Sequence, residues 1–233
     1  MERRLVMEKL TDGLPGKALG LLADLLLKLK AGKILVSELE LFLKRKNPFE
    51  KTGDILGSWR EFYRKNFGVE LGDVKIPEKI PSWAEFGRLI VVAEGLTMNQ
   101  VYDACRKRFP CWRYSDDLNK SVPTSERDPK NGAYAIWVRD VVEADKVHRN
   151  KSAKMIKEEG LTTETLLERM LHELVYFLET GEHLDIQNWT LCSGSRSSDG
   201  LVPYAYWRVR GFGVCWGTFE DRVERLRSRE VIS

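Results

Sequence analysis

The sequence lacks the features that would assign it to a membrane or disulfide-rich class. Its longest leucine-rich run, Leu19 to Leu29, is interrupted by Asp24 and Lys28 and is shorter than the ~20 apolar residues that a bilayer span needs. Cysteine is sparse, with 4 residues in 233, and a chain of this length does not need disulfide staples. The first residues do not follow the basic-then-apolar order of a secretory signal. We therefore expect a cytoplasmic protein with reduced thiols and no membrane contact.

Charge is unevenly distributed along the chain. Residues 1–157 carry 30 Lys and Arg against 22 acids, a net +8, whereas residues 158–233 carry 8 against 13, a net −5. No lysine follows Lys157, so arginine supplies every later fixed positive side chain. A guanidinium binds carboxylate or phosphate and stacks on aromatic rings. The alternative is that these arginines form ordinary surface ion pairs with neighbouring acids at helix spacing.

Three helices are predicted in a helical N-terminal region, residues 1–80. Leucines at helical spacing indicate a first helix that ends near Ala31-Gly32. A capping box from Ser37 to Glu40 begins a second, and aromatic residues from Asp54 to Phe67 indicate a third. Glycine and proline between residues 68 and 81 suggest a boundary there.

The second part, residues 81–233, has the pattern of an α+β domain. Thr97 to Gln100 is a capping box that starts a short helix, and residues 113–131 are polar enough to predict a long surface connection. The other predicted elements are a strand at 133–140, a long amphipathic helix over 166–178, strands at 189–193, 203–208 and 212–216, and a final helix at 221–229. The sequence therefore predicts a helical N-terminal part followed by a small antiparallel sheet packed on a long amphipathic helix.

The long helix has a clear apolar face and a polar face. Thr162 or Thr163 is the predicted N-cap, Glu164 lies in the predicted first turn, and Gly181 follows the end. His172 falls about 145° from the apolar face at ~100° per residue, so we expect it to face water and to pair with Glu168. This placement argues against a metal ligand at His172.

An acidic cluster with a histidine follows the predicted strand. Glu143, Asp145 and His148 are close in sequence, with Arg139 just upstream. Carboxylates and imidazole bind divalent metals or act as acid and base in hydrolysis. One local cluster is equally consistent with a solvated charged loop.

A polar loop follows the predicted strand that contains Trp189. Cys192 is a candidate nucleophile if backbone amides lower its pKa, and a strand cysteine packed in the core is the alternative. The loop could form an amide nest for an anion, or it is a flexible hairpin connection. The candidate ligand-binding residues, in the loop and on the strand before the acidic cluster, are Trp137, Arg139, Ser193, Ser195, Arg196 and Asp199.

Aromatic residues lie next to arginines in two further segments. Trp112-Arg113-Tyr114 and Tyr206-Trp207-Arg208 could stack on the bases of a single strand. The net −5 of residues 158–233 would repel a nucleic-acid backbone. Nucleic acid is therefore expected to bind, if at all, through the basic N-terminal part.

Several segments of the last two thirds of the chain resemble those of a group of bacterial proteins of unknown function. They are Leu96 to Val101, Ala135 to Asp140, Glu143 to Asp145, His183 to Asp185 and Thr190 to Arg196, with Asn47-Pro48-Phe49 as a weaker match. The resemblance implies a bacterial intracellular setting and transfers no site.

These observations lead to three functional expectations. The first is a non-catalytic recognition or accessory module that binds a partner protein or an anionic ligand through an arginine-lined aromatic sheet. The second is a metal-dependent hydrolase or nuclease that uses Glu143, Asp145 and His148, and the third is a nucleic-acid-binding protein. No cofactor and no metal site are assigned from the sequence.

Overall fold

The computed structural model describes residues 16–32, 55–78 and 85–233. The chain divides into two compact units, Met1–Ile55 and Leu56–Ser233. In the first, helix α1 spans Gly16–Lys30, which confirms the first predicted helix. The helix predicted from Ser37 lies outside the described residues. No helix formed by the described residues is both long enough and apolar enough to cross a bilayer.

The second unit has an α+β fold, as the sequence predicts. Its helices are α2 (Ile55–Phe67), α3 (Met98–Arg106), α4 (Leu118–Ser121), α5 (Ala153–Glu158) and α6 (Leu166–Thr180). Its strands are β1 (Arg88–Val92), β2 (Cys111–Arg113), β3 (Thr124–Ser125), β4 (Tyr134–Val138), β5 (Trp189–Leu191), β6 (Ser195–Arg196), β7 (Val202–Arg208), β8 (Gly211–Gly217), β9 (Leu226–Arg227) and β10 (Val231–Ile232).

The larger sheet has five strands in the order β2-β8-β7-β5-β9. The hairpin of β7 and β8 is antiparallel and runs from Val202↔Gly217 to Arg208↔Gly211, which confirms two of the predicted strands, and β5 confirms the third. The short edge strands β2 and β9 pair in parallel, so the sheet is mixed rather than purely antiparallel.

The helix predicted over 221–229 is wrong. A turn leads there into β9 and then into an extended segment. Acids and arginines at helical spacing suggested local ion pairs, but their partners lie elsewhere: Glu224 pairs with Arg149, and Arg229 pairs with Asp185. Long-range pairing therefore outweighs local helix propensity in this segment.

A second, three-stranded sheet has the order β1-β4-β10 and packs against α2. The Tyr63 hydroxyl on α2 donates to the Val91 carbonyl at 2.7 Å and accepts from the Ala93 amide at 3.0 Å. Tyr63 is fully buried. Helix α2 thus belongs to the unit that contains both sheets, although it precedes the Gly- and Pro-containing stretch at which the sequence suggests a boundary.

Helix α6 lies at the centre of this unit and confirms the long predicted helix. It contacts β1, β7 and α3. Its N-cap is Thr165, whose capping box is completed by Glu168, and Gly181 ends the helix with a φ of 76°. The prediction of Thr162 or Thr163 as the cap and of Glu164 in the first turn is wrong, because this segment bridges to Glu230 before the helix begins.

The polar face of α6 is buried, and the expectation that His172 faces water is wrong. His172 and Glu164 are both fully buried, and His172 Nδ1 lies 2.8 Å from Glu164 Oε1. Segments far along the chain cover this face, and its charges find partners there: Arg169 binds Asp185, and Glu168 binds Arg127. Helical periodicity predicts which residues share a face but not what covers a polar face.

Residues 113–131 form ordered structure rather than the expected surface connection. They contain α4, β3 and a 3₁₀ turn, and β3 pairs with β6 of the polar loop. Leu118, Val122 and Pro129 are buried. The side chains of Asp117 and Asp128 each accept a backbone amide at the start of a short helix, which explains the polar composition.

Candidate functional site

The two faces of the larger sheet have different roles. Along β7, Ala205 and Trp207 face the core, where the Trp207 ring stacks on His183 with centroids 3.3 Å apart. Tyr204, Tyr206 and Arg208 alternate with them and lie on the opposite, outer face. The end of this outer face around Tyr206 and Arg208 is open to a ligand, whereas Val202 at the other end of β7 is buried in a second hydrophobic cluster.

An aromatic stripe crosses the outer face. β2 and β7 both pair with β8, and the register places Trp112 and Tyr206 on either side of Gly213. The Tyr206 ring lies across Gly213, since a Cβ there would be 2.6 Å from the ring. Trp189 continues the stripe on β5, with its ring 5.6 Å from that of Tyr206. Because glycine has no side chain, the Tyr206 ring can lie directly against the backbone at Gly213.

Three arginines surround this stripe. The Arg208 guanidinium stacks over Trp189 at 4.6 Å and over Tyr206 at 5.2 Å. Arg210 and Arg225 are exposed and line the same depression. Among the described residues, none of the three forms an ion pair with a carboxylate. Their charges are therefore available to an incoming anion.

Together these residues form a cleft of about 1050 Å³. Its lining contains three arginines and no carboxylate. We call it the aromatic cleft; it is lined by Cys111, Trp112, Ile186, Gln187, Trp189, Tyr206, Trp207, Arg208, Val209, Arg210, Gly211, Gly213 and Arg225. The arginine-lined aromatic sheet expected from the sequence is thus present as a concave surface.

None of the residues that the sequence predicts to bind a ligand lines this cleft. Aromatic residues next to arginines were visible in the sequence at Trp112 and at Tyr206 to Arg208. Their meeting depends on the parallel pairing of β2 with β8, which brings together residues about a hundred positions apart. Arg225 joins because it directly precedes β9, a parallel edge strand of two residues. Strands of two or three residues leave no periodic pattern that would predict such pairing.

A second cluster contains Asp145, His148 and Glu230, and we call it the acid–histidine cluster. One ligand atom from each residue lies within 4.8 Å of the others. Arg139 donates to Asp145 at 2.6 Å and to Glu230 at 3.0 Å. Burial raises the pKa of Asp145, although Arg139 and the Glu230 amide act against it, and burial lowers the pKa of His148.

The structure keeps two of the three predicted catalytic candidates together and places the third elsewhere. Asp145 and His148 are neighbours, whereas the Glu143 carboxylate accepts the backbone amides of Gln187 and Asn188 at 3.0 and 2.9 Å. Glu230 takes the place that Glu143 was expected to fill. Glu230 is 85 residues beyond Asp145, so no local sequence pattern marks it.

The polar loop is largely built into the fold. The Ser195 hydroxyl accepts the Leu166 amide at the start of α6, and the Ser193 hydroxyl bonds to that of Ser228. The Arg196 guanidinium donates to the backbone carbonyls of Ser193 and Ser195. Of the predicted loop residues, only Asp199 lies fully exposed in a turn. Arg196 therefore does not converge with Arg139 on one pocket.

The two remaining candidates also have structural partners. Cys192 is fully buried, and burial raises the pKa of its thiol well above the ordinary value, the opposite of what a nucleophile needs. The Trp137 indole donates to the Pro77 carbonyl at 2.9 Å. The environment of Cys192 therefore favours a cysteine packed in the core over a nucleophile.

Comparisons with known proteins found no relative of this chain. No protein-family model matches the chain, and no match was found among curated proteins or among solved structures.

Proposed function

We propose that this protein is a recognition module that binds an anionic ligand with a flat ring, the chemistry of a nucleotide, in the aromatic cleft. The observation that carries the proposal is the convergence of three arginines without carboxylate partners on a stripe of aromatic rings. Guanidinium forks bind phosphate or carboxylate, and aromatic rings stack on planar groups. The arginines of the cleft therefore suit the anionic group of such a ligand, and the aromatic rings suit its flat ring.

The ring of the ligand would stack on Trp112. This side chain is 46% exposed and lies beside Gly213, at the end of the stripe opposite Trp189. Arg208 lies over Trp189 and Tyr206 and adds a positive charge to the aromatic stripe. Arg210 and Arg225 would take the anionic group, since both are exposed in the lining.

The local charge of the cleft differs from that of the surrounding segment. Residues 158–233 carry a net −5, but the cleft lining carries three positive charges and no negative one. Several acids of this segment are neutralised inside the fold, for example Asp185 by Arg169 and Arg229. A phosphate that enters the cleft therefore meets a lining whose charged side chains are all arginines.

The cleft lacks the groups of a catalytic centre. Its lining contains no histidine, aspartate or glutamate. Its single cysteine, Cys111, has a pKa that burial raises to about 12, so the thiol is not activated. Binding without chemistry is the role that these side chains support.

The test is a binding titration that uses the quenching of tryptophan fluorescence by nucleoside monophosphates and by a short single-stranded oligonucleotide. The matching nucleoside and the sugar phosphate serve as half-ligands. We expect the nucleotide to bind more tightly than either half, and binding to weaken with added salt. Failure of every nucleotide and oligonucleotide to bind would refute the proposal, and capture of an acidic peptide in their place would assign the cleft to a protein partner.

Variants of the cleft sharpen the test. Trp112→Ala should weaken nucleotide binding by roughly 5- to 150-fold, the equivalent of one lost base stack. Arg225→Gln should weaken it about tenfold or more. Arg222→Gln is the matched control, because Arg222 is exposed, donates to the Asn150 carbonyl and does not line the cleft. Equal losses for Arg222→Gln and Arg225→Gln would show that only overall charge matters.

A further inference from the structure

The acid–histidine cluster contains buried polar atoms that the fold does not satisfy. His148 is 3% exposed, and both of its ring nitrogens lack a hydrogen-bond partner. Asp145 is 4% exposed, and its Oδ1 atom also lacks a partner. Buried polar groups without partners are rare, because each costs about 1–3 kcal/mol. Three such atoms in two neighbouring side chains point to a ligand that would satisfy them.

The fold positions the three side chains from two distant segments. Asp145 precedes a 3₁₀ turn, Lys146–His148, whose last residue is His148, and Glu230 directly precedes β10. The other Asp145 oxygen, Oδ2, accepts Arg139 at 2.6 Å and the Glu230 amide at 2.8 Å. These bonds fix the carboxylate and leave Oδ1 for a further ligand.

The distances fit a shared metal ion. His148 Nε2 and Glu230 Oε2 are 3.7 Å apart, which is too long for a hydrogen bond. Two atoms that coordinate one Zn²⁺ tetrahedrally at ~2.0–2.2 Å lie about 3.3–3.6 Å apart. The three atoms of the cluster lie within 4.8 Å of one another, so movements of up to about 1.5 Å bring them into coordination range.

The charge around the cluster also fits a divalent ion. Arg139 contacts three carboxylates, those of Asp145, Glu230 and Glu85. Three negative charges and one positive charge leave a net −2. The neighbouring Arg229 is neutralised by Asp185. Arg139 binds Oδ2 of Asp145 and leaves Oδ1 for a metal, and its bond to Oε2 of Glu230 holds that carboxylate beside His148.

We infer that Asp145, His148 and Glu230 form a binding site for one divalent transition-metal ion of the zinc class. A neutral imidazole with two carboxylates suits Zn²⁺ and its neighbours, whereas Mg²⁺ and Ca²⁺ prefer ligand sets made of oxygen alone. A bound ion would tie the segment before β10 to the 3₁₀ turn. The site is separate from the aromatic cleft, and neither inference depends on the other.

The test is a calorimetric titration of the full chain with Zn²⁺ after treatment with a chelator. A titration with Mg²⁺ is the comparison. We expect one Zn²⁺ per chain, no comparable Mg²⁺ binding, and a melting temperature that rises with Zn²⁺. His148→Ala and Glu230→Gln should each weaken Zn²⁺ binding at least about tenfold. Circular dichroism checks that each variant is folded, and if His148→Ala is not, the half-buried Glu230→Gln decides.

Two matched controls separate this site from others. Glu224→Gln removes an exposed carboxylate that pairs with Arg149 in the same segment, and it should leave Zn²⁺ binding unchanged. The double variant Cys111→Ser and Cys215→Ser removes the two half-exposed thiols and should also bind normally. Unchanged affinity in His148→Ala and Glu230→Gln, loss of binding only in the cysteine variant, or no Zn²⁺ binding by the wild type would each overturn the inference.

Discussion

Asp185 and Arg229, 44 positions apart, form an ion pair in which Arg229 Nη2 donates to Asp185 Oδ1 at 2.7 Å in the protein interior. The other oxygen of the same carboxylate accepts Arg169 Nε at 2.9 Å. Burial alone would raise the pKa of Asp185, but the two guanidiniums outweigh it and the pKa is lowered. One carboxylate thus links a guanidinium on α6 to one in the segment between β9 and β10, and Glu173 supplies a second negative charge to Arg169.

We predict that Asp185→Asn lowers the free energy of unfolding by about 3–5 kcal/mol, because it leaves the buried Arg229 without its ion-pair partner and leaves Arg169 with Glu173 alone. Urea denaturation measures the change. The control is Glu70→Gln, which removes the exposed partner of Arg64 and should change stability far less, because solvent screens the exposed pair. If the two variants lost similar amounts of unfolding free energy, burial would not be what makes the Asp185–Arg229 pair stabilising.

The Glu164–His172 pair predicts a specific dependence of stability on pH. Burial raises the pKa of Glu164 from 4.5 to about 8 and lowers that of His172 well below 6.5. The folded state therefore holds a protonated Glu164 that donates to a neutral His172. Between pH 4.5 and 8, the unfolded state has lost the Glu164 proton that the folded state keeps, so the free energy of unfolding falls as pH rises.

His172 acts in the opposite direction, but only below its unfolded pKa of 6.5, where the unfolded state gains a proton that the folded state does not. The two effects cancel between pH 4.5 and 6.5 and leave a decline between pH 6.5 and 8 of roughly 2 kcal/mol. Glu164→Gln should abolish this decline. Denaturation curves across the interval test it, and an equally steep decline in the variant would assign the proton to another group.

Two glycines of the β7–β8 hairpin should respond differently to alanine. At Gly211, φ is 107° and a Cβ would lie 2.1 Å from the Pro110 carbonyl oxygen, so Gly211→Ala should cost about 3 kcal/mol or more. At Gly213 the Cβ would meet only the movable ring of Tyr206, so Gly213→Ala should cost less than about 1.5 kcal/mol. The displaced ring should nevertheless weaken ligand binding in the aromatic cleft. Thermal denaturation ranks the two variants, and the reverse order would contradict this reading of the hairpin.

Thiol labelling tests the interpretation of Cys192. Cys105 and Cys192 are fully buried with pKa values raised well above normal, so we expect neither to react in the native protein near neutral pH. Both should react after unfolding, and the half-exposed Cys215 serves as the accessible comparison. Rapid labelling of native Cys192 below neutral pH would instead support a catalytic thiol.

The elements that the sequence predicted best are those with strong local determinants. Thr97 and Gln100 form the expected capping box, and Gly181 ends α6 with a left-handed φ, because both depend on residues a few positions apart. The aromatic β7–β8 hairpin was equally clear. In each case the determinant lies inside the element.

The candidate sites depend on contacts between distant residues and were only partly visible. Asp145 and His148 were recognised, but Glu230 joins them through the position of β10 beside β4. Trp112 on β2 and Arg225 just before β9 reach the aromatic cleft through edge strands too short to show a period. His172 was misplaced because its polar neighbours are satisfied inside the protein rather than by water.

The segment from Leu226 to Ile232 adds a strand first to one sheet, as β9, and then to the other, as β10. The intervening Ser228, Arg229 and Glu230 each bind a different partner: the buried Ser193, the buried Asp185 and the partly buried Arg139. A single short stretch of backbone therefore connects the two sheets. Amide hydrogens in β4 and in β5 should accordingly exchange with solvent through one shared opening event rather than through two separate ones.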